Sequence, residues 1–257
     1  MKTAHSVRQD SPLYAPCRKL AYNAPLEWLQ KGWKDYRRAP WHSLTYGVIF
    51  AAIGWLLVYF SWTSTSYLIA SLIVGLLLVG PALSFGLYDI SQQLEQNREP
   101  SFSHERRKAL HEMGHELMLA MLLCLVFLVL LILISMVMNI VATSGFAVSA
   151  AAPMSDTAFL VVAAIFAGLL YCASSFALPM ILDRGTDATT AIVTSFHAVW
   201  RNKSVLALWA LLILALTAVG FATALIGFVF IVPVLGYATW HAYREAIITK
   251  GGMDNND

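Results

Sequence analysis

Apolar positions gather into six runs: Ser43 to Phe60, Tyr67 to Tyr88, Leu117 to Ile140, Phe159 to Leu182, Ser204 to Val219 and Phe221 to Trp240. Each is near the length of about 20 mainly apolar residues that a helix needs to cross a hydrocarbon core. The last two meet at Gly220, and no Lys, Arg, Asp or Glu stands between 204 and 240. One helix of that length would reach about 55 Å, so a hairpin turning at Gly220 is expected. The pattern predicts an all-α, polytopic membrane protein with six transmembrane helices arranged as three hairpins.

The polar segments carry weaker periodicities. Leu26, Leu29, Trp33 and Tyr36 form one helical stripe with Lys31, Lys34 and Arg38 off it, which predicts a short helix in the headgroup region, with Trp28, Trp33 and Trp41 half wet. Two connections have stripes of their own. They are Ser101 to Glu116, through Phe102, Ala109, Leu110 and Met113, and Asp187 to Trp200, through Ala188, Ala191, Ile192, Phe196 and Val199. Both are expected to be interfacial helices on the cytoplasmic side. Residues 1–24, with Pro12 and Pro16, are expected to be a disordered cytoplasmic tail without a cleavable signal. Residues 25–247 form one membrane domain and 248–257 a second cytoplasmic tail.

Composition agrees with this reading: 58% of the residues are apolar and 12% charged, against about 25% charged in soluble domains. The charges add direction. All 17 Lys and Arg lie in 1–42, 89–116, 183–203 and 241–257, and none in the loops near 61–66, 141–158 and 220. By the positive-inside rule both termini are cytoplasmic. Cys17, Cys124 and Cys172 suggest no disulfide framework.

One phrase recurs. Gly75 precedes Pro81 by six positions, with Leu83 and Phe85 following, and Gly227 precedes Pro233 in the same way, followed by Leu235 and Tyr237. Pro179 stands similarly near the polar exit of the fourth run. Proline leaves the carbonyl four residues back without a partner, so Leu77, Ser175 and Val229 are freed and bends are expected. Small residues four apart, Gly47 with Ala51, Ala164 with Gly168 and Ala173 with Ala177, would let helices approach closely. Asp89 and His241 each follow their proline by eight positions, so a rim is expected where Asp89, Asp183 and His241 gather at the cytoplasmic helix ends.

Four segments, PLEWLQKGWKDYRRAP at 25–40, GPALSFGLYDISQQLE at 80–95, LPMILDRGTDATTAIVTS at 178–195 and PVLGYATWHAYRE at 233–245, carry a resemblance to a family of bacterial predicted integral membrane proteins catalogued as a domain of unknown function. The resemblance covers about 25–247. It implies a bacterial inner-membrane location and six helices, and no activity.

One motif points to chemistry. HEMGH at 111–115 places His111 and His115 one turn apart as zinc ligands, with Glu112 as the general base. The stretch 111–120 is similar to the zinc motif of site-2-type intramembrane proteases, which implies a third ligand at Asp183. In Leu182-Asp183-Arg184-Gly185, however, Arg184 interrupts that family's pattern, and Phe176 stands where it has asparagine. Two functions follow as expectations. One is a non-enzymatic membrane protein, for small-molecule passage or sensing or for membrane-complex assembly, with no cofactor. The alternative is a zinc-dependent peptidase. Expected partners are anionic lipid headgroups at the basic N-terminal helix and another membrane protein or a second copy; no nucleic acid is expected.

Overall fold

A computed structural model describes residues 14–61, 83–101 and 156–248, and among them every extended regular element is a helix. These are α1 (Ala24–Arg38), α2 (Pro40–Ser61), α3 (83–95), α4 (Asp156–Ser174), α5 (Ala177–Arg184), α6 (Ala188–Arg201), α7 (Lys203–Ala222) and α8 (Phe228–Ala246). The third run, most of the second and the connection 102–116 lie outside the described residues. So do Pro81 and the motif His111, Glu112 and His115.

α8 is the hub, packing against α1, α2, α5 and α7. Its buried Gly236, Ala238, Ala242 and Ala246 alternate with the fully buried Tyr237, Trp240 and Tyr243. Small residues let neighbouring backbones come close, and the rings fill the space between. Leu87 of α3 covers Gly236, while Leu83 joins the cluster around Phe228 with Ile231 and Val232, so α3 and α8 run side by side in the same direction.

α1 begins with proline in its first turn and ends before Pro40, which disfavours helical geometry at Ala39 and opens α2. Its buried face differs from the expected stripe. Trp28, Gly32, Asp35 and Tyr36 are buried, whereas Leu26 and Trp33 are about half exposed. A Cβ on Gly32 would stand 2.6 Å from the Val234 carbonyl oxygen, so only glycine lets α1 settle on α8 here. Trp28, expected among headgroups, is 0% exposed and meets Trp209 edge to face, with ring centroids 5.5 Å apart.

The fourth run is two helices rather than one. Pro179 offers no N–H to the Ser175 carbonyl, and the Ser195 hydroxyl enters the ladder one turn earlier. It accepts from the Phe176 N–H at 3.1 Å and donates to the Cys172 carbonyl at 2.7 Å. Ser195→Ala would strand both backbone groups in a buried site, so it should lower stability by about 1–3 kcal/mol, read from the thermal unfolding of detergent-purified protein. An unchanged midpoint would mean that the break is held by Pro179 alone. α8, by contrast, continues through Pro233.

The final hairpin turns over 223–227 rather than at Gly220. Thr223 Oγ1 accepts from the Gly227 N–H at 2.9 Å, and Ala224 and Leu225 take left-handed φ of 50° and 69°. Burial of Leu225 with Phe50 and Phe228 offsets that strain. Gly220 lies within α7, and it leaves room for the Phe228 ring, which a Cβ there would strike.

Within the N-terminal segment, residues 14–23 are tied down. Arg18 N–H donates to the Ala246 carbonyl at 2.8 Å, Ile248 N–H donates to the Pro16 carbonyl at 3.0 Å, and Asn202 clasps Leu20 N–H and the Arg18 carbonyl. Burial pushes the Cys17 thiol up from its ordinary pKa, as for a packed rather than a reactive cysteine. In α6 the buried face is Ala191, Thr194, Ser195 and Ala198, with Phe196 partly exposed. The stripe is rotated from the expected one because the Thr194 and Ser195 hydroxyls serve the N-terminal segment and the α4–α5 break.

Candidate functional site

The ends of α1, α3, α5 and α8 meet in a polar belt. Asp35, on the buried face of α1, receives two bonds on one oxygen. The Ser91 hydroxyl donates to Oδ2 at 2.7 Å, and His241 Nε2 lies 2.8 Å from the same atom. Nearby, the Ser43 hydroxyl donates to the Ala39 carbonyl at 2.7 Å and lies 2.9 Å from the Tyr237 hydroxyl.

A second group is centred on Asp183 at the end of α5. Gln92 Nε2 donates to Oδ1 at 3.0 Å and the Tyr243 hydroxyl to Oδ2 at 2.7 Å, with Arg244 Nη1 3.5 Å from Oδ2. Arg184 Nε lies 3.8 Å from Oδ2 and donates to the Tyr243 hydroxyl at 3.0 Å. Arg244 also pairs with Glu95 at 3.1 Å, and Glu95 accepts from the Trp240 indole at 3.1 Å. Glu245 accepts from the Trp28 indole at 3.0 Å and lies 3.8 Å from Lys31. Among the described residues no buried side-chain nitrogen or oxygen lacks a partner.

Asp183 and His241 thus stand in the belt, and Asp89 on α3 accepts from Gln93 at 2.7 Å. The carboxylate bonded to His241 belongs to Asp35, which reading the sequence did not single out; Ser91, Gln92, Glu95 and Tyr243 were missed too. A signal existed, because Asp35 follows Gly32 by three positions and therefore shares the face that α8 covers. His197 of α6 stacks on Tyr14 with ring centroids 4.3 Å apart.

The order of groups restricts the chemistry. Ser91 and His241 both bond to the acid between them, so the three side chains do not form a Ser-His-Asp relay, in which the histidine would stand between the hydroxyl and the acid. Both oxygens of Asp183 are held by donors beside two guanidinium groups, so a metal there would have to displace Tyr243 and overcome nearby positive charge. Among the described residues no group of three His, Cys, Asp or Glu converges on one point.

α2 and α7 each contain a 20-residue stretch of mean hydropathy 1.5 and 2.5, with only 28% and 22% of the residues buried. A soluble core helix of that composition would be mostly covered, whereas these helices show Trp55, Leu56, Leu211 and Leu214 outward. Both helices are long and apolar enough to cross a membrane, in agreement with a helical integral membrane protein. Residues 68–183 match the family described as predicted integral membrane protein (DUF2189), a domain of unknown function. The matched stretch contains α3 and α4 and reaches Asp183. No curated protein and no solved structure matches the chain.

Proposed function

We propose that the chain is a six-span protein of the bacterial inner membrane, with both termini cytoplasmic, that works without covalent chemistry as an assembly module for membrane helices. The polar belt carries this reading. Its carboxylates, hydroxyls and guanidinium groups are bonded to one another across four helices, an arrangement that fixes helix positions. The placement of Lys and Arg supports the orientation, and α2 and α7 supply two of the six spans.

A contact place for a partner helix lies on α4. Ala164 and Gly168 are exposed one turn apart, and a Cβ on Gly168 would meet no atom within 4 Å. Small residues at this spacing favour close helix approach in lipid. In lipid nanodiscs, native mass measurement should find wild-type protein in a complex heavier than one 28.3 kDa chain, and Gly168→Leu should shift it toward the single chain. A wild-type protein isolated only as a single chain would overturn the proposal.

A further inference from the structure

We propose that the outer side of α1 is a headgroup site for an anionic phospholipid, formed by Gln30, Trp33, Lys34, Arg37 and Arg38. These five residues line one shallow groove. They face away from α8 because Trp28, Gly32 and Tyr36 hold the opposite side of the helix.

The groove has unpaired charge. Lys31 is turned to Glu245 at 3.8 Å, but Lys34, Arg37 and Arg38 have no acidic partner among the described residues. Three cations within two turns suit a phosphodiester, whose two free oxygens match an arginine fork while lysine adds a point charge. The groove also has a membrane-facing edge. Trp33 is 47% exposed and stacks on Tyr36 with its ring plane 2° away, and Leu26 is exposed beside it. Only Ala39 separates α1 from the candidate span α2, and Trp41 at the junction is 79% exposed. Indole rings settle at headgroup depth, so cations and apolar edge together select a lipid over a free anion.

The site rests on the reading of α1 as an interfacial helix, and the two fail separately. Binding to full-length protein in neutral detergent does not depend on orientation, while impermeant-maleimide labelling of Tyr22→Cys in intact cells reads orientation alone. By native mass spectrometry, phosphatidylglycerol should bind about tenfold more tightly than phosphatidylcholine of the same chains. Lys34→Gln, Arg37→Gln and Arg38→Gln should each reduce that preference severalfold. Lys31→Gln, the same charge change on the same helix, should leave it intact. Equal binding of the two lipids would overturn the site, as would an equal effect of Lys31→Gln, which would indicate diffuse attraction. Displacement of phosphatidylglycerol by equimolar inorganic phosphate would assign the groove to a free anion and also overturn the lipid reading.

Discussion

Asp35→Ala is expected to destabilise the protein by about 2–5 kcal/mol, because it leaves two partly or wholly buried groups without their acceptor. The Ser91 side chain is fully buried, and the His241 side chain is 18% exposed. The loss should appear as a lower thermal unfolding midpoint in detergent and as faster amide exchange where α1, α3 and α8 meet. Asp35→Asn keeps one acceptor oxygen and the shape, so its cost should be smaller. The pairing has a sharper signature in a double-mutant cycle. With His241→Ala already in place, Asp35→Ala should cost distinctly less than in wild type, since part of its effect is then absent. Additive costs would show that the two side chains stabilise independently and that the belt is not a single lock.

Gly47→Ala should be destabilising although alanine is the better helix former by about 1 kcal/mol. A Cβ on Gly47 would stand 2.1 Å from the Val229 carbonyl oxygen and 2.7 Å from its carbon, and these are backbone atoms that cannot rotate aside. Val229 is also the residue whose carbonyl Pro233 leaves without an N–H partner, so the glycine surface of α2 lies against that opening in α8. Separating the helices should cost about 1–3 kcal/mol or more, with Gly47→Leu worse than Gly47→Ala. An unchanged or raised unfolding midpoint for Gly47→Ala would mean that α2 and α8 are not in backbone contact.

Both expectations join a feature visible in the chain to one that was not. The released Val229 carbonyl and the small Gly47 were each legible, but that they meet was not. Likewise the basic helix at 24–38 was legible as a helix, while its buried side was not. Leu26 with Trp33 and Trp28 with Tyr36 are both apolar options on the same cylinder, and α8 accepts the second because Gly32 lies within it. The histidine motif at 111–115 remains a feature of the sequence alone, outside the described residues.

The sequence by itself determined where the long apolar helices α2 and α7 lie and that the fourth run is interrupted near Pro179. Insertion and helix formation respond to properties of about 20 adjacent residues, and those are read locally. Only the tertiary structure decided that the final turn rests on Thr223 and Gly227, that Ser195 fills the break before Pro179, and that His241 meets Asp35. The last pair is 206 positions apart in the chain, and Trp28 with Glu245 is 217 apart. Hydrogen bonds form only within about 3 Å, so such partners are set by how α1, α3 and α8 pack, which no local pattern encodes.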